Sequence, residues 1–332
     1  MSNPTPDKPM LYLAPMQGIV DAPLRNSLSA LGGIDGCVSV YARVGQQPLP
    51  SRALVKQCPE MAYRSSTGNE SANGRTRCGV PVALQLMGGS ADSMAATART
   101  AVKAGATSID INFGCPDTLV NNHDAGARLL CDPHRITRII RAIRCAIPTN
   151  IPISAKLRAG WSSISEAPAL AEAAEQGGAT TITMHGRTRF QRYEGRASWE
   201  AIGRARKRVS IPVVANGDIR SPEDLALCAE ISGCKRFMIG RGAIARPELF
   251  RVLSHIQETF WTPTERIIWL CDFGDSCFAE NVESNTTGHI KGILRYMSET
   301  SPAIATAFKN QRHHIQWPTF RDGLLLEAAK WR

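Results

Sequence analysis

Cys115 closes the segment Asp110-Ile111-Asn112-Phe113-Gly114-Cys115-Pro116, and a thiol in that place is a candidate acid. Ser108–Asn112 reads as a buried β-strand between Gly105 and Gly114, with Pro116 fixing the exit of the chain. A free thiol has a pKa of about 8.5, so at neutral pH it is mostly protonated and has a proton to give. Cysteine is also a common packing residue. The other predicted strands favour chemistry, because they too end in reactive or ligand-binding types.

In chain order those tips carry Pro15-Met16-Gln17, Arg43, Gln85, Cys115, Lys156, His185, Asn216-Gly217-Asp218 and Gly240-Arg241-Gly242. The last two are glycine-rich turns ahead of predicted helices at Ser221–Ile231 and Ala243–Ile256. Backbone N–H groups in such turns cradle phosphate, although glycine also serves simple tight turns. A phosphate site with Gln85 and Lys156 suits flavin mononucleotide (FMN). Gln85 would face the edge of the flavin ring, and Lys156 would offset the charge that develops at its N1–C2=O edge on reduction. His185 reads either as a flavin or substrate contact or as an ordinary strand-end histidine. Hydride delivered to one carbon of an activated C=C bond requires an acid at the other, which is the role open to Cys115. Asn112 could hydrogen-bond a pyrimidine edge.

Eight short apolar segments must position these tips: Met10–Ala14, Gly36–Arg43, Val80–Met87, Ser108–Asn112, Ile151–Leu157, Thr180–Met184, Ile211–Ala215 and Arg236–Ile239. Between them lie amphipathic stretches such as Ser90–Ala104, Pro133–Ala146, Ser165–Gln176 and Ser221–Ile231. Strands alternating with helices predict an α/β fold, a (β/α)8 TIM barrel over 10–256, whose strand tips share one face. A dinucleotide-binding sheet is disfavoured, since Ala14-Pro15-Met16-Gln17-Gly18 stands where Gly-x-Gly-x-x-Gly would. From 257 to 332 only helical patterns remain, among them Thr264–Ala279, Thr287–Ser298 and Pro302–His313, which predicts a small all-helical C-terminal domain. Residues 1–9 read as a disordered tail without a secretory signal, and Arg64–Cys78 as a mobile loop.

The ten cysteines include no Cys-x-x-Cys pair, so neither a metal site nor a disulfide framework is expected, and reduced thiols suit the cytoplasm. No apolar run approaches the roughly 18 residues of a membrane span. The net charge of +10 points to a polyanionic partner. It is concentrated in Arg187, Arg189, Arg192, Arg196, Arg204, Arg206, Lys207 and Arg208, and in Arg135, Arg138, Arg141 and Arg144. Together these runs favour a phosphate backbone over a small anion. From Arg251 onward nine basic residues face nine acidic ones, so nucleic-acid contacts there would rest on a few placed side chains.

The residues resemble those of the tRNA-dihydrouridine synthases, flavoenzymes that reduce the C5=C6 bond of uridine in tRNA. Ala14-Pro15-Met16-Gln17-Gly18-Ile19-Val20-Asp21 is similar to the opening motif of the family. Asn112-Phe113-Gly114-Cys115-Pro116, with Val120-Asn121 and Gly126-Ala127-Arg128-Leu129-Leu130, resembles its signature. Lys156-Leu157-Arg158, His185-Gly186-Arg187-Thr188, Asn216-Gly217-Asp218 and Met238-Ile239-Gly240-Arg241-Gly242 follow in order and spacing. The resemblance implies Cys115 as proton donor and Pro15, Met16, Gln17, Gln85, Lys156, Asn216, Gly217, Asp218, Gly240 and Arg241 as FMN contacts, with NADPH as a transient reductant. Cys37–Arg43 and His289-Ile290-Lys291 with Tyr296 are most similar to the bacterial C-type subgroup, which acts on position sixteen of the D-loop. By that likeness Arg43, Asn112, Tyr193, Lys291, Ile293, Tyr296 and Arg312 would orient tRNA, and a monomer is expected. Val40 replaces a frequent Glu and Thr118 a frequent Lys of the family pattern. Three other readings stay open on the residues alone: an FMN-dependent oxidoreductase of a free pyrimidine, a Schiff-base aldolase using Lys156, and a non-catalytic tRNA-binding factor.

Overall fold

A computed structural model of the chain describes residues 8–62, 73–122, 124–279 and 286–331. The expected tail over 1–9, apart from Lys8 and Pro9, and much of the loop read over 64–78 lie outside the described residues. The strands are β1 (Met10–Leu13), β2 (Gly36–Val38), β3 (Ala42–Arg43), β4 (Val82–Met87), β5 (Ile109–Phe113), β6 (Ile153–Gly160), β7 (Thr181–Thr188), β8 (Val213–Asn216) and β9 (Arg236–Ile239). All their pairings are parallel, and the order β2-β1-β9-β8-β7-β6-β5-β4-β3 closes through β2 on β4. The result is the expected barrel, with eight strand positions filled by nine segments.

The extra segment comes from a break within Gly36–Arg43, which the sequence presents as one strand. Ser39 Oγ accepts the Gln85 N–H at 3.0 Å, and Val40 O accepts from Gln57 Nε2 at 3.2 Å, so side chains replace ladder partners there. β6 and β7 run past their expected ends to Gly160 and Thr188, with a register shift between Arg158 and Gly160.

Helices cover the strands where capping chemistry predicts. Ser90, Asp132 and Ser221 cap the helices Ala91–Lys103, Pro133–Ala146 and Pro222–Ser232, each side chain accepting a backbone N–H of the first turn. On Pro133–Ala146, Ile136, Ile139, Ile140 and Ile143 form the buried stripe. The predicted helix Ala243–Ile256 is instead two short ones, Arg241–Ala245 and Leu249–Leu253, because Pro247 cannot continue the first.

By internal packing the chain forms two compact units. One comprises Ile34–Ile239 with the residues up to Pro15, and the other comprises Met16–Gly33 with the chain from Gly240 onward. The second unit is all-helical, with Ala22–Leu31, the two short helices, Pro263–Ala279, Thr286–Ser298, Pro302–Gln311 and Trp317–Ala328.

Within the helical unit Glu248 is fully buried, and its Oε1 accepts from Arg266 Nε at 3.0 Å, Arg266 Nη2 at 2.7 Å and Trp261 N at 3.2 Å. Removing one partner of such a pair strands the other charge away from water. Glu248→Ala is expected to destabilise this unit by about 3–5 kcal/mol, measured as a lowered midpoint in thermal or urea unfolding.

Candidate active site

Strand β5 alternates Ile109, Ile111 and Phe113 with Asp110 and Asn112, and the two sets face opposite sides of the sheet. Register places Gln85 of β4 and Ser154 of β6 beside Asp110, and Lys156 of β6 beside Asn112. A polar row is therefore built into the barrel wall. Asp110 Oδ2 accepts from Gln85 Nε2 at 2.7 Å, and Oδ1 accepts from Ser154 Oγ. Gln85 Oε1 accepts from Asn112 Nδ2 at 2.9 Å. Asn112 Oδ1 in turn accepts from the backbone N–H groups of Gly114 and Cys115, both at 2.9 Å.

These contacts hold the turn that carries the thiol, and others reinforce it. Arg158 Nε donates to Gly114 O at 2.8 Å, while its Nη1 donates to Thr188 O and Arg192 O. Ala127 N donates to Cys115 O at 3.0 Å. Gly126, at φ +62°, lies so close that a Cβ there would stand 3.0 Å from Cys115 O. The Tyr41 hydroxyl donates to Cys115 Sγ, and both side chains pack against Met87, Val120 and Ala125. Burial pushes the Cys115 thiol up, and the Asp117 carboxylate adds to this. The Asp117 N–H, the Tyr41 hydroxyl and Arg158 pull it down without reversing the shift. At neutral pH the thiol therefore holds its proton. Tyr41 itself is pushed up to about 12, chiefly by burial.

Lys156 is half-buried on the same wall. Its Nζ donates to Asn216 Oδ1 at 3.1 Å, and Asn216 Nδ2 donates to Met238 O at 2.8 Å. No carboxylate among the described residues lies within ion-pair distance of Nζ. Burial first, then the Arg158 charge, lowers its pKa to about 8, although Asp110 and Cys115 oppose the shift. Asp110 is raised to about 6 by burial against the pull of Ser154, Gln85 and Lys156.

His185 of β7 meets Tyr193 edge-to-face at 6.4 Å between ring centroids and lies beside Gly217. Gly217, at φ +124°, admits no Cβ, which would come within 2.7 Å of Ala197 Cβ. Asp218 Oδ2 is engaged by Arg187 Nη2 at 2.6 Å and Ala197 N at 2.8 Å, which fastens the 194–197 segment. Pro15 is half-buried after β1. In the helical unit Met16 O accepts the N–H groups of Ile19 and Val20, Gln17 is exposed, and Gly240 precedes the helix begun by Arg241.

The residues expected to meet tRNA fall into different settings. Arg43 and Tyr193 are exposed on the barrel unit, with the Arg158 guanidinium 5.4 Å from the Tyr193 ring centroid. Asn112, by contrast, is nearly buried with both amide atoms engaged. In the helical unit Lys291 Nζ donates to His314 O at 2.6 Å, Tyr296 is half-buried and Arg312 is exposed. Ile293 is fully buried, so it is a packing residue of helix Thr286–Ser298 and offers no surface to RNA.

Much of the arginine excess is occupied within the protein. Arg135 binds Asp124 at 2.6 Å, Arg141 and Arg144 donate to backbone carbonyls, and Arg208 pairs with Glu172 at 3.0 Å. Arg189 lies 5.0 Å from the Trp161 ring centroid and 5.5 Å from that of the exposed Phe190. Arg192 Nη2 donates to Thr118 Oγ1 at 3.2 Å, bringing a cation to the place where the family pattern often has Lys. Sequence reasoning passed over Asp110 and Tyr41. For Asp110 the signal was available: an acid in an apolar strand, two residues from Asn112 and thus on its face.

The model of the dihydrouridine synthase family matches residues 12–319 of the chain. A tRNA-dihydrouridine(16) synthase of Cupriavidus necator is 41% identical over 322 residues, covering 95% of this chain and 97% of that protein. One of Neisseria meningitidis serogroup A is 38% identical over 312 residues, 92% of this chain and 90% of its own. A third, from Pseudomonas syringae pv. tomato, is 36% identical over 308 residues, with 91% and 94% covered.

Tyr41→Phe removes the donor that stabilises the Cys115 thiolate. The pH midpoint for iodoacetamide modification of Cys115, followed by mass spectrometry of its peptide, is expected to move upward. An unchanged or lowered midpoint contradicts the contact.

Proposed function

Because this chain belongs to the dihydrouridine synthase family, we propose that it reduces the C5=C6 bond of a uridine in tRNA, at position 16 of the D-loop, with FMN as bound cofactor and NADPH as reductant. The observation that carries this reading is the protonated thiol of Cys115 on a turn braced by Asn112 and Arg158. FMN is assigned to Pro15, Met16, Gln17, Gln85, Lys156, His185, Asn216, Gly217, Asp218, Gly240 and Arg241. The donor set fits that group: Lys156 is a half-buried, poorly solvated cation without a carboxylate partner among the described residues, suited to an electron-rich ring edge. When bound, FMN would supply a hydride that it has received from NADPH.

Cys115 then gives its proton to the other carbon of the bond and regains one from solvent. Tyr41 donates to the sulfur and stabilises the thiolate left between the two events. With FMN bound, Lys156 would supply the positive charge that offsets the reduced ring. Arg43, Tyr193, Lys291, Tyr296 and Arg312 are proposed to orient tRNA. Asn112 acts from beneath through the Cys115 turn, and Ile293 through the helix it packs. The ten free cysteines suit a reducing compartment, and we assign the protein to the cytoplasm.

Cys115→Ala is expected to lower dihydrouridine formation at least about 100-fold while FMN content and tRNA affinity stay within about twofold of the parent protein. Undiminished product would remove Cys115 from the chemistry. A dihydrouridine map of tRNA from cells lacking the protein should show loss at position 16, and loss elsewhere would overturn the assigned position.

A further inference from the structure

We propose that Asp110 is a positioning residue for the proton donor, its carboxylate and the N–H groups of the Cys115 turn together fixing the direction in which the two amides between them must face. This rests on the reading of Cys115 as the acid. An ionised carboxylate can only accept hydrogen bonds, and the Gly114 and Cys115 N–H groups can only donate. Two amides, Gln85 and Asn112, span the gap between these ends, and each has one donating and one accepting side. Only one arrangement satisfies all the contacts: Nε2 of Gln85 toward Asp110, Oε1 toward Asn112 Nδ2, and Oδ1 of Asn112 toward the turn. Turning either amide over sets donor against donor or acceptor against acceptor in a buried place. Ser154 occupies the second carboxylate oxygen, leaving the first for Gln85. The same constraint orients Gln85, a proposed FMN contact. Asp110 thus governs both the thiol turn and the cofactor wall without touching substrate.

The test uses FMN-loaded enzyme and a tRNA transcript with three variants: Asp110→Asn, Gln85→Glu and the swap Asp110→Asn/Gln85→Glu. An asparagine at position 110 can present either side to Gln85, so the direction is imposed from the turn end alone and a reversed pair of amides is no longer excluded at position 110. Asp110→Asn should lower kcat about tenfold with KM for tRNA within about twofold. Iodoacetamide modification of Cys115 at neutral pH, without tRNA, should become at least about threefold faster as the turn loosens. The swap moves the acceptor-only group one residue nearer the turn. It should return the modification rate to within about twofold of the parent, whereas Gln85→Glu alone, which sets two carboxylates face to face, should not. Parental kcat and modification rate in Asp110→Asn, or no rescue by the swap, would sink the proposal. Should Asp110→Asn not fold, the swap decides alone: parental modification supports the proposal and faster modification rejects it. Product from Cys115→Ala would instead overturn the underlying reading, and the modification rates would still report on the wall.

Discussion

A polar row inside a barrel wall survives only if each donor meets an acceptor, and this requirement organises the active-site side of the molecule. A buried group left without a partner costs about 1–3 kcal/mol. Here Ser154, Asp110, Gln85, Asn112 and the Cys115 turn are joined end to end, and the Gln85 N–H is taken by Ser39 Oγ. Beside this row lies an apolar cluster, in which Ala14, Val38, Val214 and Met238 pack with Tyr12 and Ala83.

That arrangement holds two charges where solvation is poor. Asp110 is raised to about 6, so its contribution to stability is full below the ordinary carboxyl range and is lost as pH rises through about 6. Lys156 is lowered to about 8, so its contribution is full above the ordinary lysine range and is lost as pH falls through about 8. In the neutral range both groups are therefore carried at some cost to stability. Neither would be retained for packing alone. Such groups concentrate where charge must meet a reacting molecule, which is how Lys156 is used in the proposed chemistry.

The barrel was legible because alternating apolar strands and capped amphipathic helices have different periods, and those periods survived in the structure from Met10 to Ile239. Local signals were less reliable where side chains substitute for backbone partners. The strand read over Gly36–Arg43 is interrupted because Ser39 supplies a hydroxyl acceptor, a contact 46 residues away in sequence. The Cys115 turn was found from its own residues, whereas Asp110 was hidden by being treated as strand. Charge was the least direct guide. A run of arginines every three residues looked like an RNA surface, yet Arg135, Arg141 and Arg144 serve the packing of loops and helix ends.

The break between β2 and β3 has a consequence for how this active site can vary among sequences. Val40 and Tyr41 lie between paired segments, so barrel closure does not depend on their pleat or pairing. Tyr41 is nonetheless in contact with the sulfur of Cys115. Mutation can therefore exchange the neighbour of the Cys115 sulfur for an apolar, hydroxylic or charged group while the hydrogen-bonded cylinder stays shut, making this short gap a dial for thiol acidity rather than a part of the scaffold.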